Sequence, residues 1–262
     1  MEKLFIIKIG GNVLDNPSSL KTFLNDFAGI PHRRILIHGG GKIATRLGER
    51  LGIQSHYVNG RRITDAETRD LVTMVYGGLV NKQVVSTLQD LGCNALGLTG
   101  ADGNALSAVK RPVKDVDYGY VGDIKPGNVN VALLTTLLES GVIPVFAPLT
   151  HSHGEILNTN ADTIASVLAV ALSAQFEVRI VFCFEKKGVL KDVNDPDSVI
   201  RHLPRSLYRE LLEAKALADG ILPKLENAYA AIDSGVREVL IGDAADIVKN
   251  IGSETEGTLI TA

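Results

Sequence analysis

Apolar residues recur along the chain in two alternating periods. Mainly apolar runs such as Leu4-Phe5-Ile6-Ile7, Ile35-Leu36-Ile37, Val142 to Ala147 and Val178 to Phe184 have the length and β-branched content of strands buried on both faces. Between them, apolar residues fall three and four apart: Leu20, Phe23, Leu24 and Phe27; Ile43, Leu47 and Leu51; Leu133, Leu134, Leu137 and Leu138; Ile164, Val167, Leu168 and Leu172; Leu207, Leu211 and Leu212; Leu225, Ala228, Tyr229 and Ile232. That spacing predicts helices with one buried face. Shorter runs at Val239 to Ile241 and Leu259-Ile260 supply the last strands.

Local signals sharpen the boundaries. Asn16-Pro17 predicts a helix start, with asparagine as cap and proline where its missing N–H does no harm. Thr64 with Glu67 predicts a capping box for a helix reaching about Leu91, and Gly77-Gly78 inside it implies close approach of another helix, as across a dimer. Asn59-Gly60 predicts a two-residue hairpin turn. The broken runs from Asn94 to about Asp123 predict hairpins at a sheet edge, and Pro144 argues for an end position for its strand. Strand and helix alternate without a low-complexity linker, so the expected fold is α/β: a three-layer αβα sandwich around a mostly parallel, open central sheet.

Composition narrows the partners. The chain is 45% hydrophobic, with 26 Gly and no Trp, as suits parallel strands joined by tight turns and covered by helices. A net charge of −3 with both signs interspersed offers no basic field for nucleic acid and no cationic cluster for a membrane surface, which leaves small molecules. Cys93 and Cys183 lack metal or disulfide spacing and fit a reducing cytoplasm. The first strand follows Met1 within two residues, leaving no room for a signal sequence, and no apolar run approaches the roughly eighteen residues that a membrane span needs.

The candidate chemistry lies where strands end in glycine. Ile6-Ile7-Lys8-Ile9-Gly10-Gly11-Asn12 and Ile35-Leu36-Ile37-His38-Gly39-Gly40-Gly41-Lys42 share one design, in which bare backbone N–H groups and a helix start can receive an anion. Neither run has the spacing of a P-loop or of a dinucleotide-binding turn, and no Gly-x-Ser-x-Gly elbow is present. The histidines show no metal-ligand spacing, and His151 and His153 are expected to be solvated near a turn. What remains suits phosphate: Lys8, the glycine turns, Asp162 in a helical first turn, Lys224 before another helix, and Arg62 beside the hairpin. Lys8, set between isoleucines in a central strand, requires either a carboxylate or a ligand anion.

Five segments in order, Lys8-Ile9-Gly10-Gly11, His38-Gly39-Gly40-Gly41, Asn59-Gly60-Arg61-Arg62-Ile63-Thr64, Asn158-Thr159-Asn160-Ala161-Asp162 and Gly220-Ile221-Leu222-Pro223-Lys224-Leu225-Glu226-Asn227-Ala228, together resemble the acetylglutamate kinase branch of the amino-acid kinase family. The first two segments are shared with the wider family, and the other three are more specific to the branch. The resemblance implies a single domain over residues 1–262, with a lobe of about 1–174 for an acyl amino acid and a lobe of about 175–262 for a nucleotide. It implies transfer of the γ-phosphoryl group of ATP, accompanied by Mg²⁺, to the side-chain carboxylate of N-acetyl-glutamate or a close N-acyl-glutamate, in arginine biosynthesis. A carboxylate with a pKa near ~4.3 is already an anion, so no general base is needed; the demand is for fixed positive charge.

By the same resemblance Lys8 and Lys224 are the catalytic cations and Asp162 holds them in place. Gly40, Gly41, Arg62, Asn158 and Asn160 take the acyl amino acid, Arg62 through its carboxylate; Gly10, Gly11, Glu185, Gly188 and Lys224 take the nucleotide; no metal is held by the protein alone. One departure stands out. Where the family commonly has Thr or Ser and then Asp-Val, this chain has Phe184-Glu185-Lys186-Lys187-Gly188, so Glu185 is the expected substitute for the aspartate and the two lysines are either phosphate ligands or solvated. The N-terminal helix of hexameric, arginine-inhibited members is missing, which leads to the expectation of a homodimer without arginine feedback. The competing readings are another member such as glutamate 5-kinase, or a catalytically silent sensor. Retention of Lys8, Asp162 and Lys224 together favours catalysis.

Overall fold

The computed structural model describes residues 1–262 apart from Glu185, Val193, Lys215, Ala218, Asp219 and Gly220. The apolar runs form a main sheet of eight strands: β1 (Lys3–Ile9), β2 (Arg33–His38), β3 (Ala95–Leu98), β4 (Ile143–Phe146), β5 (Glu177–Phe184), β6 (His202–Pro204), β7 (Glu238–Asp243) and β8 (Thr258–Thr261). Their order across the sheet is β6-β8-β7-β5-β1-β2-β4-β3. β8 runs antiparallel to β7 and parallel to β6; the other neighbouring pairs are all parallel. Helices cover both faces, giving the three layers that the alternating pattern predicts.

Strand parity decides which way each side chain points. Along β1, Leu4 and Ile6 enter the core under the Ala161–Leu172 and Leu222–Asp233 helices, while Phe5, Ile7 and Ile9 enter the opposite core under the Pro17–Ala28 helix. Lys8 shares the parity of Leu4 and Ile6, so it is aimed at the Ala161–Leu172 helix. β1 has β2 on one side and β5 on the other. The chain therefore leaves β1 in one direction and returns later to its other edge, and the carboxyl ends at such a reversal open a crevice.

Several local predictions hold. Asn16 caps the Pro17–Ala28 helix by accepting from Ser18 N and Ser19 N, and Asn59 and Gly60 both take positive φ in the turn joining Tyr57–Val58 to Arg61–Arg62. Others are corrected. The cap expected at Thr64 belongs to Asp65, whose carboxylate accepts from Thr68 N at 2.8 Å, because Thr64 is fully buried and its backbone pairs with the Tyr118–Tyr120 segment. The long helix is not uniform: Ala66–Val72 and Asn81–Asp90 are α-helical, but Thr73–Val80 between them is π-helical. Within it Gly77 approaches Leu149 of the Leu149–Ser152 strand, not a helix, while Gly78 faces open space.

The strand of Pro144 is not at the sheet edge. It lies between β2 and β3, and the proline is tolerated because Ile143 N–H points toward β3, so the position lacking an N–H points toward β2, whose pairing begins only at Val145. Residues 95–98 were expected among hairpins; they form the parallel edge strand, and the hairpin is confined to Val109–Lys110 and Gly122–Asp123. The Leu149–Ser152 strand and β6 are short and polar at one end, and apolar periodicity did not reveal them.

One contact ties the 105–125 excursion to the rest. Thr64 N donates to Tyr118 O at 2.9 Å and Tyr120 N to Thr64 O at 2.6 Å, with Gly119 between them at φ 71°. A Cβ on Gly119 would stand 2.2 Å from Thr64 O. Gly119→Ala is expected to destabilise the protein by roughly 2 kcal/mol or more, through strain and backbone collision. Gly127→Ala, where nothing lies within 4 Å, is the matched control. Urea unfolding of the two variants checks this, and equal midpoints would contradict it.

Candidate active site

Lys8 reaches the carboxylate of Asp162 at 2.8 Å, so the strand lysine aimed at the Ala161–Leu172 helix meets the acid in that helix's first turn. Its side chain is only 12% exposed, which makes a partner obligatory. Asp162 Oδ1 accepts no well-aligned hydrogen bond from the described residues, so charge, not hydrogen-bond geometry, holds the contact. Asn160 positions the acid by capping the helix, its Oδ1 accepting from Thr163 N at 3.0 Å. Lys224 enters from the first turn of the Leu222–Asp233 helix, with Pro223 beside it among the first helical residues. Its Nζ lies 3.5 Å from the centroid of the Phe184 ring at the end of β5, and Lys8 Nζ lies 5.5 Å from the same ring. Two lysines more than 200 positions apart in sequence thus share one aromatic ring, and Lys8 brings Asp162 to it.

A cavity of about 370 Å³ lined by Asn160, Asp162, Phe184 and Lys224 lies directly on this cluster, and two more adjoin it. The first of these two, of about 390 Å³, is lined by Lys8, Gly10, Gly11, Asn12, Gly188 and Lys224, among others. Gly10 caps the short Gly11–Asp15 helix, and a Cβ there would sit 3.7 Å from Lys8 Nζ, in ordinary contact with the ammonium. At Gly188 a Cβ would meet Thr258 Oγ1 at 2.6 Å, so packing against the start of β8 is by itself a reason for glycine. Cys183 also faces this cavity, but burial pushes its thiol up to about 12, so it stays protonated.

The second cavity, of about 240 Å³, is lined by Gly40, Gly41, Arg62, Asn158 and Asn160 together with Tyr57, Tyr76 and Arg111. Gly40 adopts φ 149°, and a Cβ would strike the Tyr76 ring at 2.8 Å. Arg62 is 6% exposed and preset: Nη2 donates to Gly41 O and Thr45 Oγ1, both at 2.9 Å, Nη1 donates to Ser55 Oγ, and the guanidinium lies over the Tyr57 ring. Asn158 Nδ2 donates to Thr64 Oγ1 at 3.1 Å, which links this wall to the Gly119 contact. Burial raises the Tyr76 phenol, against the pull of nearby Arg62.

Of the residues expected from sequence, Lys8, Asp162 and Lys224 converge, Gly10, Gly11 and Gly188 share the first cavity, and Gly40, Gly41, Arg62, Asn158 and Asn160 share the second. Glu185 and Gly220 lie outside the described residues. The two adjacent lysines part company: Lys187 pairs with Asp197 at 2.7 Å, whereas Lys186 lines the first cavity. His151, expected to be solvated, bonds Asn104 Oδ1 through Nε2 at 2.8 Å. Tyr57, Tyr76 and Phe184 were not foreseen, since an aromatic in an amphipathic pattern reads as core. Among the described residues no group of three His, Cys, Asp or Glu is placed to hold a metal ion, and no helix is long and apolar enough to cross a membrane.

Comparison with known proteins agrees with this geometry. The model of the "Amino acid kinase family" matches residues 3–243. An acetylglutamate kinase of Parabacteroides distasonis is 55% identical over 254 residues, covering 97% of this chain and 99% of that protein. Among solved structures, the N-acetylglutamate synthase of Neisseria gonorrhoeae complexed with coenzyme A and N-acetyl-glutamate superposes with a TM-score of 0.81 at 25% identity, covering 100% of this chain and 59% of that one. Carbamate kinase of Giardia lamblia bound to AMP-PNP shares the fold at a TM-score of 0.71 and 13% identity, over 99% of this chain and 98% of its own.

Behind the second cavity, His38 is fully buried and burial lowers its pKa from 6.5 to about 4. The unfolded chain then binds this proton first as pH falls, so the stability present above pH 6.5 is lost as pH drops through 4. The expected loss is ~3 kcal/mol across that window. Urea titrations at several pH values measure it, and a His38→Gln variant should lack this part of the slope; identical slopes would refute the assignment.

Proposed function

Because the chain belongs to the amino acid kinase family, we propose that it catalyses ATP-dependent phosphorylation of the side-chain carboxylate of N-acetyl-L-glutamate, or a close N-acyl-glutamate, in arginine biosynthesis. The observation that carries this reading is that Lys8, ion-paired to Asp162, and Lys224 stand about a cavity that shares Phe184 and Lys224 with the one at Gly10 and Gly11 and Asn160 with the one at Gly40 and Gly41. The glutamate carboxylate needs no base. One of its oxygens attacks the γ-phosphorus as the bond to the β,γ-bridging oxygen breaks, and ADP leaves with that electron pair. Both reactants are anions, so the enzyme's task is to hold them in line and to set fixed positive charge around the transferring group.

In this reading Lys8 and Lys224 supply the charge, and Asp162 fixes Lys8, to which it is ion-paired. Gly10, Gly11 and Gly188 line the nucleotide's cavity, as does Lys186. Gly40, Gly41, Arg62, Asn158 and Asn160 receive the acyl amino acid, with the prepaid contacts of Arg62 orienting its fork toward a carboxylate. Mg²⁺ bound through the nucleotide's phosphate oxygens would screen their charge. The lobe of about 1–174 serves the acyl amino acid and that of about 175–262 the nucleotide. The protein works in the cytoplasm, which its two buried thiols suit, as a homodimer for which exposed Met74 and Leu79 beside Gly78 are the candidate contact.

A coupled assay of ADP release with N-acetyl- and N-succinyl-glutamate in parallel tests the reaction. Turnover of free glutamate alone would overturn the choice of acceptor, and ligand binding without turnover would point to a sensor. Lys8→Ala is expected to lower kcat by about 10²- to 10³-fold with little change in KM. Arg62→Ala should raise KM for the acyl amino acid about tenfold or more while sparing most of kcat. Equal losses in both parameters for both variants would undo these roles.

A further inference from the structure

Two fully buried polar side chains sit directly behind the Gly39–Gly41 turn, and the chemistry above does not use them. His38 ends β2, and its Nδ1 lies 2.7 Å from Gly39 O. Its Nε2 lies 3.2 Å from Asn81 Nδ2, which also donates to Val145 O on β4 at 2.9 Å. An amide nitrogen can only donate, so Nε2 must accept and Nδ1 must carry the proton given to Gly39 O. Asn81 is wedged in place: its Oδ1 meets Lys82 Nζ at 3.2 Å and stands 2.0 Å from where a Cβ on Gly97 would be.

The π-helical segment explains how Asn81 gets there. In an α-helix a residue five positions on is rotated by roughly 140° from its start, so Tyr76 and Asn81 would face apart. Here Asn81 N–H donates to Tyr76 O, closing an i to i+5 turn that brings both onto one face. Tyr76 then fills the space that a Cβ on Gly40 would need, and Asn81 holds His38. The same helical turn grips the glycine turn from two sides.

We infer that His38 and Asn81 are positioning residues for the acyl-amino-acid site: Asn81 donates to Nε2 and so fixes the ring of His38, which in its Nδ1–H tautomer holds the Gly39 carbonyl so that Gly40 and Gly41 keep their shape at the cavity wall. The functional half of this inference rests on the reading that these glycines receive the acyl amino acid. Imidazole ¹⁵N shifts of the wild-type protein at neutral pH should show a protonated Nδ1 and a bare Nε2 on His38. In Asn81→Leu the Nε2 resonance should shift as its hydrogen-bond donor is lost, the amide resonances of Gly39, Gly40 and Gly41 should move, and KM for the acyl-glutamate should rise about tenfold while KM for ATP stays within about twofold. An Nε2–H tautomer or an imidazolium in the wild type overturns the inference, as do unmoved glycine amides in a folded variant or equal rises in both KM values. Should Asn81→Leu fail to fold, the wild-type tautomer still decides, with Asn81→Ser as the smaller change. If the wild type turns over no N-acyl-glutamate, the functional reading fails, while the ligand-free tautomer and amide measurements still judge this one.

Discussion

A lysine side chain near the carboxyl end of the central strand of a covered sheet is the constraint from which the active centre follows. Strand geometry gives Lys8 one direction, toward the Ala161–Leu172 helix, and low exposure forbids leaving its charge alone. The first turn of that helix is where an acid also gains from the helix dipole, and Asp162 is there. Removing Asp162 would strand the ammonium of Lys8 in a nearly closed setting, whereas an incoming phosphate can compete for the same ammonium. A pair held by charge more than by aligned hydrogen bonding is suited to that exchange.

The glycine turns solve the complementary problem of letting a ligand come near the strand ends. At Gly40 the reason for glycine is twofold, since the backbone is at φ 149° and the Tyr76 ring occupies the side-chain space. At Gly188 the reason is packing against Thr258. The same residue type, in motifs of similar appearance, thus answers to a ligand cavity, an aromatic floor or a neighbouring strand. Only neighbours in space distinguish these cases.

This sets the limit of what the sequence made legible. Buried strands, the helices of amphipathic pattern, the Asn16 cap and the Asn59-Gly60 turn are decided by residues close in sequence, and they were readable. So was the need of Lys8 for a partner, because burial follows from the run around it. The capping role of Asp65 was misassigned to Thr64, since what buries Thr64 is a segment some 55 residues later. Pro144 was read as an edge signal because sequence does not say which neighbour its missing N–H would have faced. Lys186 and Lys187 look alike in sequence, and only Asp197 across the loop separates them. The π-helical turn has no distinct pattern of its own: its residues satisfy an amphipathic helix, and the extra residue per turn is stabilised by the tertiary contacts of Tyr76 and Asn81.

Register joins the two halves of the site. β1 and β2 pair with Lys8 opposite Ile37 and Ile9 opposite His38, so the two polar residues at the ends of these strands are one step out of phase. Because side chains alternate, that single step sends Lys8 to the face of the Ala161–Leu172 helix and His38 to the opposite face, where Asn81 begins the Asn81–Asp90 helix. One face therefore carries a charge at the ligand crevice, and the other carries a neutral anchor sealed from water. A slip of one residue between these strands would set Lys8 opposite His38 and send both side chains to one face, so that charge and anchor could no longer be kept apart. Catalytic charge and turn geometry are in this sense a single consequence of how two adjacent strands align.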